Sequence, residues 1–154
     1  HQVGWIVTMF MIGLGIGSYT MNRWLPRRSR KDLVWLELGV AVYAVGLPFV
    51  LMALGRIQSV PVQLAASQLV VPLLALGLAV LVGLEFPLAG KADFRTVSDT
   101  AARLYTADYL GAALGALLVS TFLIPVIGVV AVCLLAGGLN VLSGGILFWA
   151  SRRG

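Results

Sequence analysis

The sequence predicts an all-α fold, a polytopic bundle of about five transmembrane helices with the N-terminus outside and the C-terminus inside. Three observations carry that expectation. Sixty per cent of the residues are apolar and only 11% are charged, whereas a soluble domain carries about 25% charged residues. The apolar residues fall into runs of about 20, the length a helix needs to cross a hydrocarbon core of about 30 Å. The basic residues are then distributed unevenly between those runs. Arg23, Arg27, Arg28, Arg30 and Lys31 follow the first run, Lys91, Arg95 and Arg103 lie between the third and fourth, and Arg152 and Arg153 close the chain. Arg56 alone falls on the opposite side. Loops rich in Lys and Arg stay on the cytoplasmic side, which orients the bundle and points to a bacterial-type cytoplasmic (inner) membrane.

The first span covers residues 3–21, with Trp5 near its outer end and Tyr19 and Trp24 near its inner end, where amphipathic rings suit the headgroup zone. Asn22 to Asp32 forms a basic loop. The second span, 33–54, has Trp35 at its inner boundary and Pro48 in its outer half, and a polar turn with Pro61 follows. The third, 64–86, is expected to stop where Pro87 and Gly90 break the pattern. Thr96-Val97-Ser98-Asp99 matches a capping box, placing a helix start ahead of the fourth span, 103–124, with Asp99 and Arg103 one turn apart. Pro125 and Gly128 mark a tight outer turn, and the fifth span, 128–149, ends at Trp149. No internal repeat or low-complexity linker divides residues 1–154, so one transmembrane domain is expected. The start at His1, with no charged segment and small-residue cleavage site, leads to the expectation of a piece of a longer protein without a signal peptide.

The formal net charge of +5 belongs to the rims of the spans, so nucleic acid is not an expected partner. Cys133 is the single cysteine and lies in an apolar run, where a buried inert thiol is expected. His1 is the only histidine, which leaves no internal pair for haem, no Cys/His cluster for zinc and no nucleophilic triad. No catalytic residue, cofactor or metal site is therefore expected.

Small residues supply expected packing faces. Gly13 and Gly17 form one G-x-x-x-G pair, Gly111 and Gly115 another, and Gly137, Asn140 and Gly144 recur at helical spacing in the fifth span. Missing side-chain bulk lets helix backbones approach closely. The Gly13–Gly17 run superficially matches a dinucleotide-binding loop, but no strand precedes it and no water-exposed helix start follows.

Glu37, Glu85 and Asp108 lie inside or at the edges of spans, all in the cytoplasmic half. A carboxylate at mid-bilayer costs about 2.5–3.5 kcal/mol on insertion scales, so such groups face the protein interior and have partners. Two roles fit. Each acid caps or salt-bridges its own surroundings, or the three converge, with Arg103, Tyr105 and Tyr109 alongside, on a polar pocket open to the cytoplasm that suits a cationic small molecule.

Phe10 to Tyr19, the basic loop, Trp35-Leu36-Glu37-Leu38-Gly39, Gly83-Leu84-Glu85-Phe86-Pro87-Leu88, and Leu104 to Ala112 through Leu123 to Gly128 together resemble the membrane region of fused spermidine synthase-like proteins. The resemblance runs in order over nearly the whole chain. It implies a multi-span domain that precedes a soluble aminopropyltransferase domain, and a further span ahead of the first one here. The Gly-rich domain that in the family binds decarboxylated S-adenosylmethionine and putrescine is not among these 154 residues, so the resemblance carries over no catalytic residue. The leading expectation is a membrane domain that anchors a cytoplasmic domain or partner, with a polyamine-related acidic pocket. The alternatives are an accessory subunit docked to other membrane subunits through its glycine faces, and a component of a proton- or cation-coupled transporter.

Overall fold

The computed structural model describes residues 2–24, 30–92 and 97–153, and among these every regular element is helical. The elements are α1 (Gln2–Trp24), α2 (Arg30–Gly55), α3 (Val60–Ala92), α4 (Val97–Leu118), a π-helical turn (Val119–Leu123) and α5 (Ile124–Arg153). Four stretches are long and apolar enough to cross a membrane: Val3–Trp24, Asp32–Gly55, Val60–Gly90 and Tyr105–Ala150. The last has 46 residues; as a straight helix it would be about 69 Å long, more than twice the hydrocarbon core. It is not straight. Gly128 adopts φ 81°, ψ 164° and breaks the helical geometry, a conformation that glycine takes without the usual Cβ penalty.

Two prolines act differently from the sequence expectation. The break between the last two helical segments falls at Gly128, one end of the expected turn, while Pro125 stays helical. The π-helical turn just before Pro125 is the local widening that lets an apolar helix absorb a missing N–H. Likewise α3 does not stop at Pro87 but continues to Ala92. Pro87 has no N–H to donate to the Gly83 carbonyl, and Ser18 Oγ of α1 donates to it instead, at 3.1 Å. A neighbouring helix replaces the lost backbone bond. At its other end α3 starts earlier than expected: Gln63 N–H donates to Ser59 O at 2.8 Å, with Pro61 in the first turn, where a missing N–H is harmless.

α1 lies parallel to α3, since Gly13 faces Leu76 and Ala79 while Gly17 faces Val80 and Gly83. α2 runs antiparallel to α3, with Gly39 near Leu81 and Tyr43 near Gly77, and antiparallel to α5, with Gly137 near Ala41 and Gly144 near Val34. The end of α1, the start of α2 and the ends of α3 and α5 therefore gather at one end. There Met21, Leu33 and Leu88 form a small core, flanked by Leu36, Leu84 and Leu147. α4 meets α3 where Tyr105 packs on Phe86, with ring centroids 5.2 Å apart, and its other described side chains are mostly exposed. Large apolar side chains point outward throughout: Val42 is 73% exposed, Phe49 68% and Val126 77%. An apolar surface of this extent suits hydrocarbon and would aggregate in water.

Candidate functional site

The site is a pair of carboxyl groups where α2, α3 and α5 meet. Three close crossings position it. Glycines at 13, 17 and 83 seat α1 on α3: a Cβ added to Gly83 would lie 2.6 Å from the Leu14 carbonyl oxygen, and one on Gly13 would lie 2.7 Å from the Ala79 Cβ. Tyr43 fastens α2 to α3, its hydroxyl donating to Leu74 O at 2.6 Å across the face of Gly77. Gly137 and Gly144 let α5 approach α2, with added Cβ atoms 3.0 Å from Val45 Cγ2 and 3.3 Å from Glu37 Cβ.

These crossings bring Glu37 of α2 beside Glu85 of α3, within electrostatic reach of each other. Ser143 of α5 donates its hydroxyl to Glu37 Oε1 at 2.9 Å. Glu85 Oε1 is fully buried and has no hydrogen-bond partner among the described residues. An unpaired buried acceptor is destabilising by about 1–3 kcal/mol, and a second like-charged carboxylate nearby raises the penalty further. Among the described residues, neither a cationic group nor a donor meets Glu85 Oε1. An ammonium group, with three donors and no acceptor, supplies both.

The other expected members of the pocket fall elsewhere. Asp108 is exposed on α4 and is not turned into the pair. Tyr105 stacks between Phe86 and Tyr109, the latter at 6.4 Å, so the two tyrosines form an aromatic ladder beside α3 rather than hydroxyl partners of Asp108. Thr96 and the side chains of Asp99 and Arg103 lie outside the described residues. Among the described residues no group of three or more His, Cys, Asp or Glu is placed to hold a metal ion.

The glycine faces also divide. Gly13, Gly17, Gly137 and Gly144 lie in helix crossings, whereas a Cβ on Gly111 or Gly115 would meet nothing within 4 Å. Those two lose their expected partner because α4 leaves the bundle after Tyr105. Asn140 donates to Ala136 O of its own helix at 2.9 Å and so fastens no neighbour. Sequence reasoning placed Ser18 in a small-residue patch with Gly13 and Gly17, but missed its bond, Tyr43, Ala79, the packing role of Gly83 and the bond from Ser143. The available signal was the Ala79-x-x-x-Gly83 spacing, which ends two residues before Glu85 and four before Pro87.

The chain is similar to a protein of Leptospira interrogans named polyamine aminopropyltransferase, being 28% identical over 160 residues. The match takes in 97% of this chain and 28% of that protein, so the chain spans under a third of its relative's length. No protein-family profile and no solved structure matches the chain.

Proposed function

We propose that the chain is a membrane-embedded anchor domain whose Glu37–Glu85 pair receives an ammonium group of a polyamine. It crosses a bacterial inner membrane five times, the break at Gly128 separating the last two crossings, with the N-terminus outside and the basic helix ends in the cytoplasm. There it holds a cytoplasmic domain or partner at the membrane surface. The reading rests first on Glu85 Oε1, a buried acceptor without a donor among the described residues and within electrostatic reach of a second carboxyl group. The distant likeness to a protein named for polyamine chemistry agrees in ligand class.

Thermal unfolding of the detergent-solubilised chain with and without spermidine tests it. A ligand that binds only the folded state raises stability by RT ln(1 + [L]/Kd). Spermidine should raise the melting temperature of the parent, and Glu37→Gln and Glu85→Gln should each abolish that rise while still folding. An equal rise in parent and both variants would refute binding at the pair.

One observation favours a second reading as an accessory subunit. The Gly111–Gly115 face of α4 is open, and such faces serve helix association in membranes. In that case Gly111→Leu should leave the chain folded but release it from co-purifying membrane subunits.

A further inference from the structure

We propose that the groove between the first turns of α2 and the last turns of α5 binds an anionic diacyl phospholipid, an acyl chain lying in the groove and the phosphate at the level of the basic helix ends. The groove has a volume of about 420 Å³ and is walled by Val34, Trp35 and Leu38 on α2 and by Val141, Gly145 and Phe148 on α5. That size lies within the range of ligand sites, about 300–1,000 Å³, and its lining is almost wholly apolar.

A pair of glycines makes the concavity. Gly144 forms the floor, its missing side chain replaced by Glu37 Cβ at 3.3 Å from an added Cβ. Gly145 opens to the groove, where an added Cβ meets nothing within 4 Å. Trp35, 73% exposed, and Phe148, 45% exposed, stand as the walls. The Glu37 carboxyl group is engaged by Ser143, and Glu37 does not line the groove.

Charge selects the occupant. α2 begins with Arg30-Lys31, four residues before Val34-Trp35, and α5 ends with Arg152-Arg153, four residues after Phe148-Trp149. Four residues are about one helical turn. Because the two helices are antiparallel, the helix ends that carry the basic pairs lie at the same end of the groove, about one turn beyond its apolar walls. Asp32 is the one acidic residue in those turns, so positive charge is in excess. A zwitterionic lipid fits the groove equally well, but only an anionic headgroup complements that end.

The test is native mass spectrometry of the full chain extracted from vesicles containing equal phosphatidylglycerol and phosphatidylcholine. The parent should retain phosphatidylglycerol over phosphatidylcholine about five-fold or more. Gly145→Leu puts a side chain into the groove from a position where an added Cβ clashes with nothing and should remove both lipids, with an unchanged helical circular dichroism spectrum showing that the fold survives. Arg152→Gln/Arg153→Gln should keep a bound lipid but lower the preference by about five-fold for each charge the phosphate feels. Equal retention of both lipids by the parent, undiminished lipid on Gly145→Leu, or an unchanged preference in the double variant would each overturn the site.

Discussion

At the residue scale, polar side chains act across helices. The hydroxyls of Ser18, Tyr43 and Ser143 each donate to an acceptor on another helix, and in a bilayer such bonds average about 0.6 kcal/mol, with about 1.7 at most. Tyr43→Phe and Ser143→Ala are therefore expected to lower unfolding free energy in mixed micelles by about 0.6–1.7 kcal/mol each. Detergent titration followed by circular dichroism measures it, and no change in either variant would mean the bonds do not form in the bilayer. The two substitutions also separate stability from ligand binding: Ser143→Ala should weaken spermidine stabilisation through Glu37, and Tyr43→Phe should not. The depth of Glu37 and Glu85 in their spans made them legible as partners. Asp108 sits at similar depth in the sequence but on a helix that leaves the bundle, and nothing in its own neighbours reveals that. The bond from Ser143 needed the register of α5 on α2, which no single span encodes.

At the scale of elements, apolar length and terminal basic residues fixed the helices well, and the errors sit at prolines. Pro87 and Pro125 read as breaks because an isolated helix cannot replace the missing bond. Within a bundle, Ser18 and a π-helical turn replace it. The glycine pairs were legible as possible contacts but not as actual ones, since G-x-x-x-G spacing says that a backbone can be approached and not by what. Gly83→Leu drives its side chain into the Leu14 backbone and should destabilise the chain by about 1–3 kcal/mol or more. Gly111→Leu meets open space and should leave the monomer's stability unchanged. The same detergent titration compares them; equal losses would contradict the packing of α1 on α3. Ser18→Ala should lower stability more when Pro87 is present than in Pro87→Ala, because alanine restores a backbone donor to the Gly83 carbonyl.

At the scale of the whole molecule, the helices share one logic. Small residues form the contacts, large apolar residues face outward, and the basic residues collect where α1 ends and α2 begins. That arrangement suits hydrocarbon around the bundle, because among the described residues the buried core is small, with Met21, Leu33 and Leu88 at its centre. The all-helical fold class was legible because it depends on composition along the chain. The number of crossings was harder, since the stretch from Tyr105 to Ala150 is uniformly apolar and its break rests on one glycine conformation. The most direct test is cysteine accessibility in intact cells, using Ser29→Cys in the basic loop and Ser59→Cys in the opposite turn, each in a Cys133→Ser background. A membrane-impermeant maleimide should label Ser59→Cys from outside and Ser29→Cys only after permeabilisation. Labelling of Ser29→Cys in intact cells, or of both positions equally, would contradict a bundle that crosses the bilayer with its basic helix ends in the cytoplasm.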